Sequence, residues 1–145
     1  MQIKINTNAK EIAKRVNKQG KELSDSVKNA LSITAQAGVN IILERTSEGK
    51  SYKGRAFAEY SKKGRNGGYA AFRASKGRGS APDLFFTGKM LGSMTTKANY
   101  RQAEIFFSRA TESKKAAMNN IKRPFFGFNN REEKKLGKIF FKALK

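Results

Sequence analysis

Cysteine, histidine and tryptophan are absent from this 145-residue chain, and proline occurs only twice. Without cysteine there is no disulfide framework, no thiol nucleophile and no Cys/His zinc site. Without histidine, the side chain most used for proton transfer near neutral pH is missing. Carboxylates are scarce, at 11 Asp+Glu. Glu132 and Glu133 are neighbours on a predicted helix and point about 100° apart, while Glu11 sits at the i,i+4 spacing of a surface pair with Arg15. Neither arrangement is a paired-carboxylate site or an acidic metal cluster. No GxxxxGK[ST] phosphate loop occurs. Gly64-Arg65-Asn66-Gly67-Gly68 is glycine-rich but opens no predicted helix, so it is a weak phosphate cradle. The chain is therefore expected to be no enzyme and to carry no cofactor and no metal.

Long apolar runs are missing too. Nothing approaches the roughly 18 apolar residues of a membrane span. Residues 1–6 alternate and lack the apolar stretch of a signal peptide. The expectation is a protein made in a cytoplasm that acts there, or in something assembled there, without a membrane.

What is present in excess is positive charge: 31 Lys+Arg against 11 Asp+Glu, a net +20. That field attracts polyanions, nucleic acid above all. The apolar fraction is 38%, with 11 Phe. A chain of this length fits one domain, whose core has limited material.

Residues 2–6 alternate Ile3 and Ile5 with polar neighbours and read as a strand. Thr7 or Asn8 offers a helix N-cap. A helical pattern then runs to about residue 48, with Ile12, Val16, Leu23, Val27, Ala30, Leu31, Thr34, Gly38, Ile41 and Ile42 on one stripe. Unbroken, it would span about 60 Å, so a bend or break at Gly20, or protrusion towards a neighbour, is expected. Residues 49–80 change character. They are glycine-rich, show neither period, and carry nine cations (Lys50, Lys53, Arg55, Lys62, Lys63, Arg65, Arg73, Lys76 and Arg78) against one acid, Glu59. Long loops of this kind are commonly functional or disordered. The cations could track a phosphate backbone or a channel wall, and Tyr52, Phe57, Tyr60, Tyr69 and Phe72 could pin the loop to the body or stack on bases.

Order resumes at Pro82. Thr87 is the predicted N-cap of a short helix over 88–93, and two strands over 94–99 and 103–108 flank a turn at Tyr100-Arg101. Phe106 breaks the alternation of the second strand, which predicts burial on both faces. A helix over 111–122 has a narrow apolar face of Ala116, Ala117, Met118 and Ile121, and Pro124 ends it. Phe125-Phe126-Gly127-Phe128 reads as an extended, strand-like segment. Asn129 or Asn130 caps a last helix over 131–144 with Leu136, Ile139, Phe140, Ala143 and Leu144 inside. Most phenylalanines of this half should be core, with outward members of the doublets 85/86 and 125/126 available to a subunit interface. The predicted class is α+β in one domain: strand plus long N-terminal helix over 1–48, a basic loop over 49–80, and over 81–145 a core with a small mainly antiparallel sheet and a C-terminal helix.

Three segments carry a resemblance. Pro82-Asp83-Leu84-Phe85-Phe86-Thr87-Gly88-Lys89-Met90-Leu91-Gly92-Ser93-Met94 resembles the L-x-x-TG-x-(ML)-x-x-S segment of the virion-morphogenesis or tail-completion family of tailed bacteriophages. Arg123-Pro124-Phe125-Phe126-Gly127-Phe128-Asn129 resembles that family's RPF-(LF)-G-(LF)-(ST) segment. The stretch from Gly49-Lys50-Ser51-Tyr52-Lys53 to Tyr60-Ser61 resembles the G-x-x-(FW)-x-P-(YL)-S stretch before them. The order is the family's, and together the three span most of residues 49–140. The family's YA-x-x-H-x-x-G segment has no counterpart in residues 110–120.

The resemblance implies a non-enzymatic virion component, a tail-completion or neck subunit at the head–tail junction. It implies a homo-oligomeric ring around the DNA channel, expected to be sixfold, with the connector, tail terminator or tail tube as partners and non-specific contact with genomic DNA. On this reading Thr87, Gly88, Leu91, Arg123, Pro124, Phe125 and Gly127 specify fold and assembly. The alternative is a free-standing, non-specific basic nucleic-acid-binding protein.

Overall fold

Apolar side chains at three- and four-residue steps build helix α1, Lys21–Ser47, and bury Val27, Ala30, Leu31, Ala35, Val39 and Ile42. The protein is represented by a computed structural model that describes residues 1–5, 11, 12 and 20–144. Gly20 stands at the N-cap of α1 with φ 88° and ψ −171°, so the predicted break falls there. Before it, Glu11 and Ile12 are helical. The expected caps Thr7 and Asn8, and Val16 of the stripe, lie outside the described residues.

Strand β1, Gln2–Ile5, pairs antiparallel with β3, Ala103–Phe107, and β2, Met94–Ala98, pairs antiparallel on its other side. The order β1-β3-β2 puts β3 at the centre. The fold is α+β, as the pattern predicts. Ala103, Ile105 and Phe107 are buried in the main core, which they share with the buried face of α1. The helix and sheet meet closely at Gly38: a Cβ there would lie 2.9 Å from Phe128 Cζ and 3.0 Å from Ile105 Cδ1.

The other face of β3 is buried for a different reason from the one expected. Its inner residue is Glu104, with Lys4 and Lys97 opposite on the two neighbouring strands. Lys97 Nζ is 2.8 Å and Lys4 Nζ 3.9 Å from the carboxylate, and Gln102 Nε2 donates to it at 2.8 Å. Phe106 is half-buried beneath the Lys97 ammonium, 5.4 Å from its ring centre. A charged cross-strand cluster, not an apolar layer, covers this face.

Residues 49–80 are not the featureless loop predicted. Ser51 N donates to Arg55 O at 2.8 Å and Phe57 N to Gly49 O at 2.7 Å, closing a tight turn. A 3-10 turn at Arg65–Gly67 leads into helix α2, Gly68–Ser75. The helix escapes pattern reading because its buried residues are one small side chain and one cation, Ala70 and Arg73. Thus the glycine-rich stretch does open a helix, contrary to expectation, but Ala70 N in its first turn already donates to Ser61 O at 3.1 Å.

Helix α3, Lys89–Gly92, is capped by Gly88 at φ 75°, where Thr87 was expected; Thr87 Oγ1 accepts from Lys89 N at a long 3.4 Å. Helix α4, Ala110–Lys122, turns Glu112 and Ala116 inward. The predicted apolar face is corrected: Ala117 is exposed, as are Met118 and Ile121 at 72% and 82%. They sit about 100–160° around the helix from Ala116, because the packed side runs through Glu112, Ala116 and Arg123. The Phe-rich segment after it is no strand. Asn120 Oδ1 accepts from Phe125 N and Phe126 N at 3.0 and 2.9 Å and folds it into a turn. Helix α5, Asn130–Ala143, starts at a capping box in which Asn129 and Glu132 bond each other's backbone N–H. It packs Leu136 and Phe140 inward and leaves Phe141 exposed.

Candidate functional site

The three sequence segments that stand out converge in space, and arginine side chains join them. Arg123 Nε donates to Ala58 O at 2.7 Å and its NH2 group to Glu59 O at 2.8 Å, which ties the segment after α4 to the stretch before Tyr60. Tyr52 N donates to Pro124 O at 3.0 Å. The Tyr52 ring lies so close to Gly127 that a Cβ there would be 2.8 Å from it, so the glycine is required by packing. Leu84, in the left-handed region at φ 56°, donates its N–H to the Tyr60 hydroxyl at 3.0 Å.

Tyr60 is the hub. The guanidinium carbons of Arg73 and Arg123 lie over its ring, 4.6 and 4.7 Å from the centre, and Tyr69 meets it edge-on at 5.1 Å. Burial pushes the Tyr60 phenol above its ordinary pKa; the Leu84 N–H bond and the two guanidiniums oppose that rise.

Arg73 overturns one expectation. The sequence pattern places it with the DNA- or channel-facing cations, but it is 1% exposed. Its Nε and NH1 groups donate to Gly79 O and Phe85 O at 3.2 and 2.9 Å, and NH2 pairs with Asp83 at 2.8 Å. The chain around Gly79 and Asp83 folds over a cation because the carbonyls there need donors. The other eight predicted cations are exposed. Lys50 pairs with Glu48 and Lys62 with Glu59, each at 2.8 Å; these pairs raise both lysine pKa values and lower that of Glu59. Lys53, Arg55, Lys63, Arg65, Lys76 and Arg78 have no carboxylate partner among the described residues. Lys53, Lys76 and Arg78 rest over Tyr52, Phe72 and Phe85 at 5.8, 5.9 and 5.1 Å.

Of the predicted fold-specifying residues, Leu91, Arg123 and Phe125 are buried, Pro124, Gly88 and Gly127 are half-buried, and Thr87 is exposed. Gly88 earns its place by contact, since a Cβ would meet the Phe85 ring at 2.9 Å. Missed by sequence reading is the latch at the far end of the same region. Arg45 of α1 reaches both carboxylate oxygens of Glu132, at 2.5 and 2.6 Å, and the carbonyls of Phe125 and Gly127, at 2.6 and 2.9 Å. A cation on the apolar stripe of α1 was the available signal: Arg45 follows Gly38 and Ile42 on that face.

A cleft of about 660 Å³ opens beside Tyr60. Tyr69, Phe86 and Met90 line it together with Lys115, Asn119, Lys122 and Arg123. Among the described residues there is no group of three or more His, Cys, Asp or Glu placed to hold a metal, and no helix is long and apolar enough to cross a membrane. Comparison of the chain with protein-family models, curated proteins and solved structures found no match.

Proposed function

We propose that this chain is a non-enzymatic structural subunit of a tailed-phage virion, a tail-completion or neck protein that forms a ring at the head–tail junction. The observation that carries the reading is the interlocking of the three family-like segments. The stretch around Tyr52 and Tyr60, the segment from Pro82 to Met94 and the segment from Arg123 to Asn129 bond to one another through Tyr60, Arg123 and the Tyr52 backbone. Segments that resemble a family's in order, and that also depend on one another in space, behave as one fold-specifying unit. The bonds among them fall on backbone carbonyls and N–H groups, as structural roles require. The exposed cations suit a subunit near packaged DNA.

The test is location. Mass spectrometry of separated heads and tails, with electron cryomicroscopy of the neck, is expected to find this chain as a ring at the junction. Its absence from mature particles would overturn the proposal.

A further inference from the structure

The cleft beside Tyr60 has features that a structural subunit does not need. Tyr69 and Phe72 of α2 are 42% and 47% exposed, although both are large aromatic side chains in an ordered helix. They form a cluster with the half-buried Phe86. The Tyr69–Phe72, Tyr69–Phe86 and Phe72–Phe86 ring centres are 6.2, 6.4 and 5.6 Å apart, all tilted rather than stacked flat. Tyr69 and Phe86 line the cleft and Phe72 lies against both, so exposed ring surface of Tyr69 and Phe72 adjoins it.

Charge decides what such a surface attracts. Among the described residues two acids line the cleft, and each is neutralised: Glu112 by Lys115 at 2.9 Å and Glu59 by Lys62 at 2.8 Å. Arg73 is matched by Asp83. Lys122 remains, exposed and with no carboxylate partner among the described residues; Arg123 beside it also lacks one, but it is buried, donates to Ala58 O and Glu59 O and lies over the Tyr60 ring. The cleft is therefore net positive beside open aromatic rings. A volume of about 660 Å³ lies in the range of small-molecule sites and holds a nucleotide with its neighbours partly outside.

We infer that this cleft binds single-stranded nucleic acid, with bases stacked on Tyr69, Phe72 and Phe86 and phosphates drawn to the exposed Lys122, in the field of the buried Arg123 behind it. Unpaired bases offer π-faces to exposed rings, and their phosphates follow cations; sequence-tolerant single-strand sites combine the two. A duplex hides its base faces and would use only the cations. A second copy of this chain, at net +20, brings like charge to the same place. The inference goes beyond the neck assignment and does not depend on it.

The test uses the intact chain and fluorescence anisotropy. Labelled oligothymidylate and oligouridylate are titrated beside a duplex of equal length and an oligoglutamate peptide, at low and raised salt. Both single strands, or one of them, should bind more tightly than the duplex and the peptide, and the tighter one names DNA or RNA as the source. The Tyr69→Ala/Phe72→Ala double variant should bind single strands about tenfold more weakly or worse, with duplex binding unchanged. Ultraviolet cross-linking of oligothymidylate to the unaltered chain should map to Tyr69, Phe72 or Phe86, a readout independent of any variant's folding. Equal affinity for single strand and duplex, tighter binding of the peptide, or cross-links mapping elsewhere would overturn the inference.

Discussion

Replacing Arg45 by Met removes a latch between α1 and the start of α5. Met keeps the length and most of the apolar volume of the arginine stem and remains a good helix former. What disappears is the guanidinium, with its bonds to both Glu132 oxygens and to the carbonyls of Phe125 and Gly127. Breaking a buried ion pair by removing one partner costs about 3–5 kcal/mol. The side chains of Arg45 and Glu132 are 9% and 16% exposed, so water relieves part of the stranded charge. The lower end, about 3 kcal/mol, is the expected loss. For a chain of this size that corresponds to a fall in Tm of about 6–12 °C.

Urea unfolding followed by circular dichroism measures it, and a double-mutant cycle isolates the pair. Glu132→Gln keeps an acceptor for the capping box but removes the charge. Arg45→Met and Glu132→Gln together should fall short of the sum of the single changes by about 1–3 kcal/mol. Arg45→Lys should recover less than half of the loss, because an ammonium cannot fork between a carboxylate and two carbonyls. An Arg45→Met protein within about 0.5 kcal/mol of the parent, or strictly additive changes, would refute the latch.

Other positions give sharper or opposite responses. Gly68 has φ +69°, and a Cβ there would lie 2.6 Å from the carbonyl oxygens of Ser61 and Lys63, whereas Gly54 at φ +77° has nothing within 4 Å. Gly68→Ala should therefore cost well over the roughly 1–2 kcal/mol of left-handed strain expected for Gly54→Ala, and equal urea midpoints would show the packing argument wrong. Burial raises the Tyr60 pKa above the ordinary 10.0. The folded state then holds its proton where the unfolded chain loses it, so this contribution to stability is complete below about pH 10 and declines as pH rises further. The parent should lose stability more steeply above that pH than Tyr60→Phe; parallel slopes would count against the hub. Met118→Ser and Ile121→Ser, at exposed positions of α4, should leave stability within about 0.5 kcal/mol, and a large loss would restore the apolar face that the sequence suggests.

Much of the fold was legible because its large elements follow simple periods. The stripe from Val27 to Ile42, the strands expected over 94–99 and 103–108 and found over 94–98 and 103–107, the break at Gly20 and a helix cap at Asn129 or Asn130, found at Asn129, all have local signatures. α2 was illegible because its buried residues are Ala70 and Arg73, which no hydrophobic period detects. Met118 and Ile121 misled because a solvent-facing apolar pair mimics a packed stripe when the packed stripe itself contains Glu112 and Arg123. At the candidate site, Arg123 was singled out from its motif, but its partners Ala58 and Glu59 lie more than sixty positions away and are held through backbone atoms that side-chain patterns do not encode.

The three arginines buried among the described residues share one physical reason. Arg45, Arg73 and Arg123 donate to the carbonyls of Phe125, Gly127, Gly79, Phe85, Ala58 and Glu59. None of those residues belongs to a helix or a strand. Irregular segments folded against a core carry polar groups with no ladder to satisfy them, and an unsatisfied buried carbonyl is destabilising. Guanidinium has five N–H donors in a rigid plane and no acceptor to satisfy in return, so a single side chain serves several carbonyls at once. In a chain with 38% apolar residues and two prolines, long connections cannot be fixed by apolar packing or stiff turns alone. Part of the large positive charge is therefore internal scaffolding. Counting Lys and Arg overstates the charge on offer to a polyanion, and Arg73, 1% exposed, is the clearest case.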